Sequence, residues 1–515
     1  MTVRAVFDRE AAMEELGRAE LGHQARTKRL VYTAGLLAQE AAGRSLPDRL
    51  PCRPDYEGAL NLANNPAVTH QAILQPHYQA TRQRMLACQG VVLNISDITE
   101  LDFSGLRIAC LGPIGNGAGK GFECHNSLAL NPATGDFLGL TSQILHIRDP
   151  DIQVEAQHQA RTAKAVAACA EGQTPDGKRK GKRKSKGGRR PDETDAERRE
   201  RPSRESRLWV KGSEALGDVP EGKLWVDVCD RAADTFEYLQ FMAQAKRSYV
   251  IRSRHNRALE EGGVGLEVEG EGEGPRQRLH DVLRSLPGVM SWEVQLSANK
   301  GQPARCATVQ MAWKRVRVKA PDQYQGEHDG PLEVWAIRVW EPSPPAGVTE
   351  PLEWLLLTNI CVQTDEQARE RVGWYEWRPA VEEFHKAQKT GMGIEGLQLQ
   401  SRAGLEPLIG LLSVLAVTLV NLRQQARQQA AATQPAREVV DPLWVKVLSI
   451  RMHGEQRDLS LRQFVLDVAK LGGYLNRRPD AWPGWIVLWR GLTKLLHLVQ
   501  YELARAKCSQ TSPEL

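Results

Sequence analysis

The spacing of hydrophobic positions changes several times along the chain, and each change predicts a different element. Up to about residue 75 the apolar positions have helical spacing, most clearly over residues 19–38, and Pro66 marks a turn between helical pieces. Residues 89–98 (QGVVLNISDI) are rich in Val, Leu and Ile, which predicts a buried strand with Asp97 near its end. Residues 126–147 form two alternating runs around a turn signal, the pattern of a β-hairpin.

Strand and helix patterns alternate in the second half of the chain. Residues 223–229 have the pattern of a buried strand that ends at Asp230, and residues 248–252 predict another short strand. Between about 256 and 351 the period becomes two, so we predict a β-rich insertion there. Residues 353–361 predict a return to a core strand, and helical sequence follows almost to the end.

The composition is that of a globular protein, but positive charge is concentrated in one place. The 515 residues include 68 Lys+Arg and 63 Asp+Glu, and 41% are hydrophobic, which excludes a wholly disordered or membrane-embedded chain. Residues 178–190 (KRKGKRKSKGGRR) carry nine positive charges and no negative one. This composition cannot form a packed core, so we expect a basic linker over about 171–205 that adds non-specific DNA affinity. A nuclear-localisation signal is the alternative.

The cysteines and apolar runs predict a soluble intracellular protein. The nine cysteines are scattered and include no CxxC pair, which argues against a disulfide scaffold or a zinc ribbon. The N-terminal residues lack the apolar stretch of a signal peptide. A membrane span needs about 20 apolar residues. The strongest apolar run, residues 408–420, is shorter, so we predict a buried helix and no membrane contact.

The segment 374–391 (WYEWRPAVEEFHKAQKTG) contains a predicted helix with a polar face. Pro379 suits its first turn and Gly391 its end. One stripe at helical spacing is made only of polar residues, namely Tyr375, Arg378, Glu382, Lys386 and Lys389. Such a stripe suits a helix that presents an acid and several cations to an anionic substrate. The alternative is a solvated helix with a Glu382–Lys386 pair, worth about a few tenths of a kcal/mol.

Asp97, Asp230 and Glu382 form the candidate catalytic set. The two aspartates follow predicted strands, where α/β proteins place site residues. Two aspartates and a glutamate without a nearby His or Cys offer only oxygen ligands, which favours Mg²⁺ or Mn²⁺ over zinc. Two such ions would activate water or a 3′-hydroxyl in an in-line phosphoryl displacement. Taken singly, each aspartate would more often be a turn or cap residue.

The sequence resembles a known family at these positions. The pattern Tyr-x2-Arg-x3-Glu-x6-Lys, matched by Tyr375, Arg378, Glu382 and Lys389, is that of bacterial cut-and-paste DDE transposases of the Tn-five type, in the insertion-sequence-four group. The segments SDITELDF, VCDRAADTFEYLQ and LGGYLNRRPDAWPGWIVLWRG extend the resemblance over nearly the whole chain in the same order. The chain departs from the family where Pro379 and Ala380 replace an aromatic and a basic residue.

The resemblance implies an α/β fold with an RNase H-like catalytic core, a mixed five-stranded sheet flanked by helices. The implied domains are an N-terminal helical DNA-binding domain over 1–75, the catalytic domain over 76–428 with the β-rich insertion, and a C-terminal helical dimerisation domain over 429–515. Trp482, Trp485 and Trp489 would give this last domain an apolar face, although ordinary core packing explains them equally well.

The resemblance also implies roles for single residues. Asp97, Asp230 and Glu382 would coordinate two Mg²⁺ (or Mn²⁺) ions. Trp354 would stack on a flipped base, with a core tryptophan as the alternative. The transposon-end phosphates would contact Tyr375, Arg378, Lys386 and Lys389. Arg252, Arg254 and Arg257 are further candidate backbone contacts, for which surface charge is the default explanation. Independently of the resemblance, the basic N-terminal helix suits contact with the DNA backbone through Arg26, Lys28 and Arg29, and an ordinary solvated helix is the alternative.

We therefore expect a Mg²⁺-dependent DNA transposase. It would bind terminal inverted repeats as a homodimer, cleave both strands through a hairpin and join the 3′-ends to target DNA. Its location would be the bacterial cytoplasm, in association with the nucleoid. The alternatives are a non-catalytic regulator descended from a transposase, a structure-selective nuclease without a joining step, and a structural interaction protein.

Overall fold

A computed structural model describes ten stretches of the chain, which form two compact units. The first unit comprises residues 1–88, 98–205 and 381–515, and the second comprises 89–97 and 206–380. The predicted basic tract 178–190 lies outside the described residues, and the predicted three-domain division stays a prediction. The stretches described are 9–39, 46–50, 52–108, 110–148, 204–260, 277–296, 304–321, 330–348, 350–477 and 482–510.

Five helices form the N-terminal part of the first unit, as the helical spacing predicts. The turn predicted at Pro66 is present between the fourth and the fifth helix. Thr69 then starts the fifth helix, because its hydroxyl accepts the N–H of Ala72 at 3.1 Å. The helices are α1 (Arg9–Leu16), α2 (Gln24–Gln39), α3 (Leu46–Arg49), α4 (Arg53–Ala63) and α5 (His70–Ala87).

The first unit also contains the predicted hairpin. Strand β2 (Gly112–Ile114) pairs antiparallel with β3 (Gly119–Asn131), which pairs antiparallel with β4 (Asp136–His146). At the turn the side chain of Asn131 accepts the N–H of Ala133 at 3.0 Å. The alternating pattern of residues 126–147 was therefore a correct guide to the hairpin.

The rest of the first unit is helical. Its apolar helix, Arg402–Arg427, is the one described helix that is both long and apolar enough to cross a membrane, but 83% of its most apolar window is buried in protein. This agrees with the predicted buried helix. The last three helices, Pro442–His453, Leu461–Leu471 and Trp485–Gln510, share one apolar cluster. Trp482 and Trp489 pack against that cluster and Trp485 is buried, so all three contribute to the core.

The second unit is built on a mixed sheet in the order β1–β5–β6–β10–β9–β8–β7. The first three strands are parallel, and the remaining pairs are antiparallel. Strands β7 to β9 confirm the predicted β-rich stretch, and they extend the sheet beyond β10. The strands are β1 (Val91–Asp102, continuing into the first unit), β5 (Leu224–Cys229), β6 (Ser248–Arg252), β7 (Met290–Leu296), β8 (Arg305–Val318), β9 (Leu332–Trp340) and β10 (Glu353–Thr358).

The stretch of period two is not made of strands alone, because the helix Leu279–Ser285 lies within it. The helices of this unit are α6 (Arg207–Ala215), α7 (Phe236–Gln244), α8 (Leu279–Ser285) and α9 (Asp365–Tyr375). Helix α10 (Pro379–Lys386) begins in this unit and continues in the first.

The parallel pair β1–β5 carries one buried polar contact. In its register Asn94 lies opposite Asp227, and the Asn94 amide donates to Asp227 Oδ1 at 2.6 Å. Both side chains are almost fully buried. Burial raises the pKa of Asp227 from 3.8 to about 6, although the bond from Asn94 opposes the shift.

Prediction on stability and pH. Asp227→Asn keeps an acceptor for Asn94 and removes the buried charge. Because the pKa is raised in the folded state, ionised Asp227 disfavours folding above pH 6, and this effect disappears as the pH falls below about 4. We expect the variant to be more stable than the parent at pH 8, by up to about 3 kcal/mol, and equally stable near pH 4. Urea unfolding of both proteins across this pH range measures the difference, and a gain that does not change with pH would contradict it.

Candidate functional site

Two aspartates meet because of the β1–β5 register. In this register Ile95 pairs with Val228. Asp97 and Asp230 each follow two residues later in the chain, so they lie opposite each other across the two chain segments. Asp230 directly follows β5, and its carboxylate accepts the N–H of Ala232 at 2.8 Å, which caps a short 3₁₀ turn. Asp97 differs from the prediction, because β1 continues to Asp102 and Asp97 therefore lies inside the strand.

One guanidinium contacts both carboxylates. Nη2 of Arg378 lies 2.7 Å from Oδ2 of Asp97 and 3.6 Å from Oδ2 of Asp230. The side chains of Arg378 and Asp97 are 13% and 15% exposed, and that of Asp230 is 31% exposed, so this cluster is largely screened from water. The Arg378 guanidinium is thus a positive counter-charge that both carboxylates share.

Arg378 reaches the aspartates from a turn. Helix α9 ends at Tyr375, α10 begins at Pro379, and the N–H of Arg378 donates to the carbonyl of Tyr375 at 2.9 Å. A residue before proline is disfavoured in helical backbone, which explains the break. The predicted helix with Pro379 in its first turn and Gly391 at its end is confirmed, as α10 followed by a π-helical stretch at Ala387–Gly391. Two members of the predicted stripe lie before this helix, Arg378 in the turn and Tyr375 at the end of α9.

An aromatic pair flanks the cluster in the second unit. Tyr375 is buried, and its ring packs edge-to-face on Trp354 of β10, with centroids 5.4 Å apart. Burial raises the pKa of Tyr375, while Arg252 and Arg378 nearby oppose the shift. The hydroxyl therefore stays protonated at neutral pH and is able to donate a hydrogen bond. Arg252, at the end of β6, donates to the Glu353 carbonyl at 2.9 Å.

The other two arginines predicted beside β6 have different surroundings. Arg257 is buried and forms an ion pair with Asp234 at 2.6 Å, so its guanidinium holds this loop together. The carboxylate of Asp234 also accepts the backbone N–H groups of Arg254 and His255, at 2.6 and 3.0 Å. The side chain of Arg254 is exposed. Sequence analysis missed Asp234, whose only signal was its position in the segment after Asp230.

The remaining residues of the signature belong to the first unit. Glu382 and Lys386 are exposed on α10, and Lys386 pairs with Glu383 at 3.0 Å. Lys389 lies in the π-helical stretch and pairs with Glu395 at 3.5 Å.

The basic residues of α2 are also unequal in exposure. Nη1 of Arg26 donates to the Leu21 carbonyl at 2.8 Å. Arg29 lies 3.4 Å from the Asp55 carboxylate and over the ring of Tyr32. Lys28 is exposed. Of the three, Lys28 is the one whose side chain faces solvent most fully.

The donor set of the second unit fits a hard cation. Asp97 and Asp230 supply carboxylate oxygens to one shared positive group, which is the ligand chemistry of Mg²⁺ and Mn²⁺. Within the described stretches, no group of three or more His, Cys, Asp or Glu side chains is arranged to hold a metal ion. The site thus presents two carboxylates with an arginine as their counter-ion.

Comparison with known proteins adds little to this geometry. A scan against models of known protein families finds no match to the chain. Among solved structures, the chain is similar to a cryo-EM structure of a piggyBac transposase synaptic complex with hairpin DNA. The TM-score is 0.35 with 10% sequence identity, and the match covers 99% of this chain and 84% of that one. This TM-score is too low to establish a shared fold.

Prediction on the shared guanidinium. Arg378→Gln leaves Asp97 and Asp230 facing each other without their counter-ion. A hydrogen bond to a charged group contributes about 1.5–3 kcal/mol, so we expect a lower melting temperature in EDTA. We also expect Mg²⁺ or Mn²⁺ to raise the melting temperature of the variant more than that of the parent.

The matched control for this prediction is Arg254→Gln, which removes an exposed guanidinium from the same unit. Differential scanning calorimetry with and without the ion measures both effects. Equal responses to the ion in the parent and in Arg378→Gln would show that the guanidinium and the cation do not compete for the aspartates.

Proposed function

We propose that the protein is a DNA transposase that cuts and joins DNA by two-metal phosphoryl transfer. It would bind terminal inverted repeats, cleave both strands at the transposon ends through a hairpin, and join the 3′-ends to target DNA. The observation that carries the proposal is the contact of Asp97 and Asp230 with one cationic group. It is supported by the Tyr-Arg-Glu-Lys signature that includes this cation, Arg378.

Three acids would hold the catalytic metals. Asp97 and Asp230 offer oxygen ligands side by side, and the signature assigns Glu382 as the third ligand. Two bound Mg²⁺ ions would supply Lewis-acid stabilisation of the attacking and leaving oxygens. Arg378 would have to leave the carboxylates when a metal binds, and a DNA phosphate would then satisfy its guanidinium. The bidentate geometry of arginine suits this exchange between carboxylate and phosphate.

The neighbouring residues would hold DNA. Protonated Tyr375 would donate its hydroxyl to a phosphate oxygen, and Lys386 and Lys389 would contribute positive charge. Trp354 packs against Tyr375 and is only half-buried, so its ring has area left for stacking on an unpaired base. Residues 1–75 would bind the inverted repeats, and a homodimer would pair two ends. The expected location is the cytoplasm, at the nucleoid.

Prediction on catalysis. Asp97→Asn and Asp230→Asn each keep the shape of the side chain and remove a metal-binding charge. We expect each variant to lose at least about a thousand-fold of Mg²⁺-dependent cleavage. The measurement is incubation with duplexes that carry candidate inverted repeats, followed by separation of nicked, hairpin and joined products on a denaturing gel.

The control for this experiment is Asp218→Asn, which changes an exposed aspartate of the same unit. DNA binding without any cleavage by the parent protein would favour the non-catalytic regulator. Cleavage without joining of precleaved ends would favour the structure-selective nuclease. Cleavage that persists in Asp230→Asn would refute the assigned metal ligands.

Prediction on the aromatic pair. Trp354→Ala removes the surface proposed for base stacking, and Trp354→Phe keeps an aromatic ring there. Stacking of a base on an aromatic ring contributes about 1–3 kcal/mol, so we expect Trp354→Ala to lower hairpin yield about five-fold or more while first-strand nicking persists. Trp354→Phe should keep most of the hairpin product. A parallel loss of nicking and hairpin in Trp354→Ala would instead indicate a core role for the tryptophan.

A further inference from the structure

The paired parts of β1 and β5 contain little that fixes their register. The runs VVLNI and LWVDV are apolar except for Asn94 and Asp227. Strands buried on both faces have no alternation of polar and apolar positions. A slip of one strand against the other therefore keeps apolar side chains buried, and hydrophobic burial alone discriminates poorly between registers.

The two polar residues, Asn94 and Asp227, distinguish the observed register from a slipped one. Asn94 and Asp227 are directly opposite each other in the observed register, and the amide-to-carboxylate distance is 2.6 Å. A slip of one residue in either direction would place each of them against an apolar residue. A buried carboxylate or amide without a partner costs about 1–3 kcal/mol or more. Ser213 and Arg247 also interact with Asp227, and the observed register adds the bond from Asn94 to these contacts.

The register matters because the aspartates of the candidate site depend on it. A slip of one residue would turn Asp97 or Asp230 to the opposite face of the sheet. A slip of two residues would move one of them by about 6.6 Å along the strand, at about 3.3 Å per residue. In either case one cation could no longer contact both carboxylates.

We propose that Asn94 and Asp227 are positioning residues, which fix the β1–β5 register so that Asp97 and Asp230 face the same cation. This inference rests on the proposed function in one respect, which is that the cation in the working enzyme is a divalent metal ion. A buried polar pair often costs stability relative to an apolar pair, and setting a register is the best-attested reason for keeping one.

The test compares two double variants of the full chain. Asn94→Val/Asp227→Val removes both polar groups, and Asn94→Asp/Asp227→Asn exchanges them and so restores the bond in the reverse direction. We expect the valine pair to melt at the same temperature as the parent or higher, while its affinity for Mn²⁺ falls at least ten-fold by electron paramagnetic resonance. The exchanged pair should bind Mn²⁺ within about three-fold of the parent.

A second readout reports the register without any metal. The register extended by one residue puts Ser96 opposite Cys229, so Ser96→Cys creates a cysteine pair across the two strands. Directly opposed strand positions are within disulfide distance. Ser96→Cys is introduced into the parent and into both double variants, and each protein is treated with diamide and analysed by peptide mapping. We expect the 96–229 crosslink in the parent background and in the exchanged pair, and at least five-fold less of it in the valine pair.

The outcomes separate this inference from the proposed function. If the parent fails to bind Mn²⁺ but the crosslink falls in the valine pair and returns in the exchanged pair, the register role stands and the proposed metal chemistry fails. If the valine pair keeps both the crosslink and the parent's Mn²⁺ affinity, the register role is refuted. A fall in melting temperature with both readouts unchanged would show a purely structural pair, and it would also refute the inference.

Discussion

The candidate site depends on the parallel pairing of β1 with β5. This pairing brings together two carboxylates that are separated by more than a hundred residues of sequence, Asp97 and Asp230. Two like charges at one level of a sheet repel each other, and partial burial strengthens that repulsion. The arrangement is therefore stable only with a positive group beside it, and Arg378 supplies that group. The demand for a cation is set by the backbone register, before any ligand binds.

The sequence around Arg378 explains how it meets that demand. Pro379 ends the preceding helical geometry, and the turn it imposes directs Arg378 to the aspartates. The same guanidinium is suited to phosphate as well as to carboxylate. A DNA phosphate and the pair of aspartates would therefore compete for it, and a metal ion and the guanidinium would compete for the aspartates. In the proposed enzyme, these two competitions link DNA binding to metal binding. A DNA phosphate that binds Arg378 frees the aspartates for a metal ion, and a metal ion that binds the aspartates frees Arg378 for a phosphate.

Local patterns predicted much of the fold and less of the site. The strand at residues 89–98, the hairpin and the buried helix at 408–420 depend on periodicity within one segment, which is visible in a single sequence. The bridging role of Arg378 depends on a register between distant strands and on the turn before α10, so the helical spacing alone could not reveal it. The buried pair of Arg257 and Asp234 was missed for a similar reason, because charge alone does not reveal burial. The RNase H-like fold, the dimer and the metal ligands stay predictions.

The buried pair of Asn94 and Asp227 clarifies why the sequence is not simply more apolar. Valine at both positions would suit two strands buried on both faces, and burial raises the pKa of Asp227, which is a sign that the ionised group is held at some cost to stability. Stability alone therefore does not explain such a pair. Its presence is explained if a particular register is needed for reasons other than stability. The two carboxylates that share one guanidinium, three residues further along the same strands, supply that reason.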